Sequence, residues 1–439
     1  MGKAAEAALP RPSLYHGIAV SCYDTDKNVL EDGMDIVRIR PYIKDYDWGN
    51  EDFIPSLLGI PADGRPKAEV WFGTHPAGES TVISEQVEVP LGAFLADHAD
   101  GYFGPAHLEQ FGPSLPLLLK VLAIEKPLSI QVHPSAAQAE KGFTQEEPLH
   151  HVLPREQWNY QDRNRKAEVI YALTPITALC GFRSFDQVDA TLRMLIPTCY
   201  DMYFAKPVSL AGEDANGKLS CLFETLYTMD PATLKTCIDE YIGSLKHHAE
   251  LPLATADGRF LEPKGIALSC ATEYPKDPGL FCPFLLNVLH LEPGEALFLE
   301  PRTIHAYVFG NGIELMSASD NVLRGGLTHK KVDVPELMRV MKIEADDPAV
   351  CPTLIDAFGR KAVLTPTEEF MLLTMDSGYY DIERHSKIEL MLCTEGSASI
   401  ITRNERFELK KGECCVIAAT IPSYRLEVQG TVFSATVPA

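Results

Sequence analysis

Four polar segments of the chain carry residue types that could act together. In Pro127-Leu-Ser-Ile-Gln-Val-His133, strand alternation sets Leu128, Ile130 and Val132 on one face and Ser129, Gln131 and His133 on the other. In Asn164-Arg-Lys-Ala-Glu168, Lys166 and Glu168 share a side as the chain enters an apolar run. A carboxylate leading into a buried strand needs a cation or hydrogen-bond donors. Pro301-Arg-Thr-Ile-His305-Ala-Tyr307 places His305 and Tyr307 on one face, just after a Gly-Glu turn and an apolar strand. The fourth segment, residues 314–330, gathers Glu314, Asp320, Arg324 and Lys330 around Gly325-Gly326, where missing Cβ atoms let the backbone bend and approach a ligand.

Each segment alone has an ordinary alternative: a solvated strand face, a surface ion pair, a hydrogen-bonded core histidine, a charged loop. Together they offer two imidazoles, one carboxylate and a neutral amide oxygen, a mixed N and O set that suits zinc and several other divalent ions. A divalent ion with one carboxylate keeps a net charge of about +1, which would stabilise an enediolate or a sugar oxygen. Two histidines and one glutamate fit a non-haem iron oxygenase equally well.

The elements that would position these groups are mostly short strands. A strand is expected at residues 35–39, and short strands, turns and one or two helices from there to 184. The run after Ser135 suits a short helix. Residues 185–262 change character: Asp230 sits at an N-cap, Pro231 at N1, and Leu234, Cys237, Ile238, Tyr241, Ile242 and Leu245 recur at helical spacing. Strand-like segments are expected to return afterwards, with a short helix near residues 334–338. There is also an internal echo. Leu291-Glu-Pro-Gly-Glu-Ala-Leu-Phe-Leu299 matches Leu409-Lys-Lys-Gly-Glu-Cys-Cys-Val-Ile417, and continuing without gaps sets Ser423 opposite His305. The echo predicts one barrel hairpin used twice, with a ligand-capable side chain only in the first copy.

Composition bounds the partners. The 439 residues imply two or three domains. Lys plus Arg number 39 against 61 Asp plus Glu, a formal charge of -22, and no basic stripe is visible, which argues against nucleic acid. An anionic ligand would need its positive contacts concentrated in one pocket. The 11 cysteines form no CxxC pair and read as buried thiols of a reducing compartment. No window has the apolar length of a membrane span, and residues 1–10 lack a secretion signal. Gly2 suggests a myristoylation start, but Glu6 stands where Ser or Thr is wanted. A cytoplasmic monomer is expected.

In this order, these segments resemble the type I mannose-6-phosphate isomerases. The resemblance is carried by Tyr46-Asp-Trp48-Gly49, Ala68-Glu-Val-Trp71-Phe-Gly73-Thr-His75-Pro76, Leu119-Lys120-Val-Leu, and Pro127 to Pro134. It continues through Lys166 to Glu168, Gly294-Glu295 to Tyr307, and Ser319-Asp-Asn-Val-Leu-Arg324-Gly-Gly-Leu-Thr328, across about residues 36–342. It implies one Zn2+ per chain held by Gln131, His133, Glu168 and His305, with Arg324 as catalytic residue; spacing alone would nominate His133 before Gln131. It implies a mainly β fold of two cupin-like jelly-roll barrels with an inserted α-helical domain. The expected parts are an N-terminal extension (1–34), a catalytic barrel (35–184 and 263–342) split by the helical insert (185–262), and a metal-free second barrel (343–439).

Two departures stand out. The family commonly has Asn-His-Lys-Pro-Glu where this chain has Asn164-Arg165-Lys166-Ala167-Glu168, and a proline where His329 stands. The implied substrate is a small sugar phosphate, isomerised between mannose 6-phosphate and fructose 6-phosphate through an enediol. Ser129, Lys120, Lys166, Tyr307, Glu314, Asp320 and Lys330 are the candidate substrate contacts. The general base is open among Glu314, Asp320 and a water on the metal. A cupin iron oxygenase and a non-enzymatic two-barrel binding or storage protein are the competing readings.

Overall fold

The computed structural model describes residues 35–84, 88–384 and 387–438, so the N-terminal extension lies outside the described residues. From residue 35 on, the described residues fold as one compact unit, mainly β, built from two ten-stranded antiparallel sheets and a helical layer.

The site-bearing sheet is organised by two strands. Leu117–Ile124 is buried at every residue and is apolar except for Lys120, as expected of a strand covered on both faces. His305–Ser317 pairs through its second half with Leu117–Ile124 and Glu168–Ala172, and through its first half with Ile176–Phe182 and Ile130–Val132. The change of partners falls near Gly310, at φ 113°, where a Cβ would lie 2.3 Å from the Pro175 carbonyl oxygen. Only glycine fits this bend. Because one strand thus serves two sets of neighbours, the sheet folds over an apolar interior that includes Leu122, Ile170, Ile176, Leu297 and Tyr307. Neither sheet closes into a barrel among the described residues, so the expected pair of barrels is observed as two open antiparallel sheets.

Strand alternation decides what lies behind the site. Ile130, Val132, Ala306, Val308 and Leu323 join one core with Phe182, Phe204, Phe223, Tyr241 and Phe281. Each such large side chain contributes about 1.5–3 kcal/mol by leaving water. The helices begin where the caps lie. Asp230 accepts from the backbone N–H of Ala232 and Thr233 to start Pro231–His247, and Ser135 with Gln138 forms a capping box on Ala136–Glu146. Helical structure runs past residue 262, through Pro263–Cys270, Pro278–Phe281 and Cys282–Leu285, each with proline in its first turn. Strands resume only at Leu286–Leu291.

The second sheet centres on Met371–Glu383, Glu389–Ile401 and Ser423–Thr436. It also takes in Ile36–Arg40, paired with Cys414–Ile417, and Thr81–Ile83 beyond it. The echoed segments form equivalent hairpins. Gly294 and Gly412 both have positive φ, and Glu295 and Glu413 each accept a backbone N–H three residues back, from Glu292 and Lys410. The following long strands start at His305 and at Ser423. His305 is buried, whereas Ser423 faces solvent.

Candidate metal centre and sugar pocket

Register sets the first row of side chains. Gln131 stands opposite His305 on one side and Arg324 on the other, so all three project from the same sheet face, away from the helical core. His133 lies just beyond Ile130–Val132, where Pro134 ends the strand. Glu168 opens its own strand and Lys166 precedes it, their charged groups 2.8 Å apart.

His133, Glu168 and His305 are each 1% exposed, and their ligating atoms all lie within 4.8 Å of one another. The His133 Nδ1–H donates to the Asn321 carbonyl at 2.7 Å, and the His305 Nδ1–H to the Thr303 carbonyl at 2.8 Å. Those bonds fix the tautomers and turn both Nε2 lone pairs inward. Glu168 Oε1 then lies 3.4 Å from His133 Nε2, and Oε2 lies 3.5 Å from His305 Nε2. Acceptors facing acceptors inside a protein repel unless a cation sits among them. His133 Nε2, Glu168 Oε2 and His305 Nε2 indeed have no hydrogen-bond partner, a costly state for buried atoms. Burial, aided by Lys166, pulls the His133 imidazole down to about 4, keeping it neutral. Although burial acts in the opposite direction, the Lys166 ammonium at 2.8 Å holds Glu168 well below the usual carboxylate range. Neutral imidazoles and an ionised carboxylate are what zinc requires. Gln131, opposite His305 in register and lining the adjoining cavity, can supply a further oxygen.

A cavity of about 400 Å³ opens from the centre. Among the expected site residues, Lys120, Ser129, Gln131, Lys166, Glu168, Tyr307, Glu314, Arg324 and Lys330 all line it. Lys120 and Glu314 face each other at 2.9 Å, with Glu69 3.6 Å from the same ammonium. Burial raises Glu314 above the ordinary carboxylate range, against the pull of Lys120. Arg324 and Lys330 form no ion pair among the described residues; burial lowers both, and Arg324 lowers Lys330 further. Two cations held in no ion pair at a cavity wall can each meet an anionic group of a ligand.

Asp320 is not among the lining residues. Its carboxylate turns to His75 Nε2 and an Arg155 nitrogen, each at 3.2 Å, at a smaller cleft of about 220 Å³. Other wall residues escaped nomination as site residues. Glu69 lies two residues before Trp71 on the same strand face, a signal that period-2 reading could have used. Tyr274, whose ring lies 5.0 Å from His329, comes from the turn between Pro263–Cys270 and Pro278–Phe281, and no local pattern marks it.

The family described as "Phosphomannose isomerase type I, catalytic domain" matches residues 36–185, and "Mannose-6-phosphate isomerase, cupin domain" matches residues 367–437. The mannose-6-phosphate isomerase of Escherichia coli strain K12 is 34% identical over 382 residues, covering 86% of this chain and 93% of that protein. A mutant phosphomannose isomerase from Salmonella typhimurium superposes with TM-score 0.80 at 30% identity, over 92% of this chain and all of that one. A mannose 6-phosphate isomerase structure bound with zinc and yttrium gives TM-score 0.80 at 31% identity, with 92% of this chain covered and 100% of that chain. These relatives are isomerases, neither oxygenases nor storage proteins. The chain belongs to the type I phosphomannose isomerase family.

Proposed function

We propose that the chain interconverts D-mannose 6-phosphate and D-fructose 6-phosphate, with one zinc ion per chain held by Gln131, His133, Glu168 and His305. The observation that carries this reading is the set of three buried, partnerless ligand atoms converging within 4.8 Å at the end of a sugar-sized cavity. When bound, zinc supplies Lewis-acid stabilisation of charge developing on the sugar oxygens.

The chain's own groups do the rest. Lys330, with Ser129, receives the phosphate, since Lys120 and Lys166 are already engaged by buried carboxylates. Anchoring the phosphate holds C1 and C2 against the reacting groups. Glu314 takes the proton from C2 of the open-chain aldehyde, the C–H electron pair becomes the C1–C2 double bond, and the C1=O π pair moves onto O1. The O2 proton passes to O1, the O2 electron pair forms the C2 ketone, and the C1–C2 double-bond pair takes the proton back from Glu314 at C1. No oxidant enters or leaves. Glu314 suits this role because it lines the cavity and burial raises its proton affinity. Asp320 supports the wall from behind. Arg324 meets the enediolate charge as a fixed cation in a partly dry pocket.

Among the described residues, no helix is long and apolar enough to cross a membrane and ten cysteines are free, which supports placement in a reducing cytoplasm. The decisive experiment is a coupled assay of mannose 6-phosphate isomerisation before and after chelation, with zinc add-back. Activity should vanish on chelation and return with zinc; full activity in metal-free protein would end the proposal.

A further inference from the structure

One buried residue outside the proposed ligands and substrate contacts joins two of the proposed ligand segments. Asn321 is 0% exposed, and its side chain is saturated with hydrogen bonds. Its Oδ1 accepts the backbone N–H of Gln161 at 2.7 Å and of Asp162 at 3.3 Å. Its Nδ2 donates to the Asp162 carbonyl at 2.8 Å, the Asn164 carbonyl at 2.8 Å and Asp162 Oδ1 at 3.2 Å. Every partner of the oxygen is a donor and every partner of the nitrogen an acceptor, so no other side chain of this size makes the same set. The Asp162 carboxylate braces the assembly by accepting from the Ser319 hydroxyl and from the Asp320 backbone N–H.

This network has two ends. The Asn321 carbonyl receives the His133 Nδ1–H and thereby aims Nε2. The Asn321 amide grips residues 161–164, the segment that leads directly into Lys166 and Glu168. We propose that Asn321 is the positioning residue of the metal centre: it fixes the His133 imidazole and the approach to Glu168 relative to each other, and thereby sets zinc affinity. The inference rests on the reading of His133 and Glu168 as zinc ligands. Its physical basis is that a preset arrangement binds without the cost of ordering the ligands, whereas a loosened one must order them on binding.

The test uses the full chain and reads zinc affinity by competition with a chromophoric chelator, alongside the absorption spectrum after cobalt(II) substitution. Asn321→Asp keeps the shape and one acceptor but sets an oxygen against three oxygens now met by Nδ2. Zinc binding should weaken about 10–100-fold, with altered cobalt bands. A folded Asn321→Asp protein whose zinc affinity stays within about twofold of the parent would overturn the inference. Thr436→Val removes another buried hydrogen bond, the 2.7 Å bond from its hydroxyl to the Ile388 carbonyl in the second sheet. It should leave zinc affinity unchanged; an equal loss there would reduce the effect to general softening and overturn it too. If Asn321→Asp does not fold, Asp162→Asn decides: several-fold weaker zinc binding supports the inference and unchanged binding refutes it. A parent chain that binds no zinc would instead remove the ligand reading itself.

Discussion

Lys120 and Glu314 stand directly opposite each other on adjacent strands, with 2.9 Å between Nζ and Oε2, and both side chains largely buried at the cavity wall. Such a pair is worth little against a well-packed apolar alternative, but breaking it on one side strands the other charge. Lys120→Met should therefore destabilise the chain by about 3–5 kcal/mol near neutral pH. The sign of its pH dependence follows from Glu314. Burial already raises this carboxyl above its unfolded value, and loss of Lys120 removes what opposes that rise. At low pH Glu314 is neutral and the loss is small; as pH rises through its folded pKa the unpaired charge appears and the loss grows. Thermal melts of parent and variant across pH should diverge upward in pH, and parallel curves would contradict this account.

Arg324 and His305 share one sheet face on either side of Gln131, yet they should separate cleanly in function. In the proposed mechanism Arg324→Ala removes a cation that meets charge only as it develops, so kcat should fall about 10²–10³-fold while zinc content stays at the parent level. His305→Ala removes a proposed ligand and should lose zinc and activity together. Metal analysis beside kinetics on the same preparations checks both, and zinc-depleted Arg324→Ala protein would reassign that residue to the metal centre.

What could be read from the sequence depended on periodicity and caps. The helix at Pro231–His247 was legible because Asp230, Pro231 and the apolar spacing all agree. The paired hairpins were legible because Gly294-Glu295 and Gly412-Glu413 make the same side-chain bond to the backbone. Gln131 as a contributor to the site came from family resemblance; the reason it faces His305 is register, which spacing within one segment cannot give. Asp320 was drawn toward the substrate by its place beside Arg324, but the partners that hold it, His75 and Arg155, are remote in sequence. The same remoteness hid Tyr274, delivered by a helical layer that extends past its expected end because proline opens three further helical turns.

The metal-free centre should be acid-labile. Burial holds the folded His133 at about 4, against an ordinary value of 6.5. A depressed histidine contributes stability that is present above about pH 6.5 and lost as pH falls through about 4, amounting to about 3 kcal/mol. Melting temperatures of chelator-treated protein should fall across that window, and His133→Gln, which cannot take up the proton, should flatten the fall. Equal slopes for parent and variant would show that His133 is not the group responsible.

Asp277 reaches from the helical layer to the loop that follows Arg324. Its carboxylate accepts the backbone N–H of Gly279 at 2.7 Å and of Thr328 at 3.3 Å. Between Arg324 and Thr328 the backbone takes two positive-φ steps, Gly326 at 132° and Leu327 at 50°. The second is unfavourable for leucine and persists because its surroundings impose it. Gly326 has no alternative, since a Cβ there would lie 2.6 Å from Asp277 Oδ1 and 2.9 Å from the Gly279 Cα. Without the carboxylate, the loop loses its brace and the Arg324 and Lys330 cations lose their fixed separation from the metal centre. Displacement of a catalytic group by about 1 Å can cost about 100-fold, so Asp277→Ala should lower kcat/KM by about 10–100-fold. The bonds that orient His133, His305 and Glu168 run to Asn321, Thr303 and Lys166, outside residues 326–330, so zinc affinity should be unaltered. Kinetics and zinc titration on the same variant decide the matter: parent-like kcat/KM, or weakened zinc binding, would show that Asp277 does not act through the Arg324 loop.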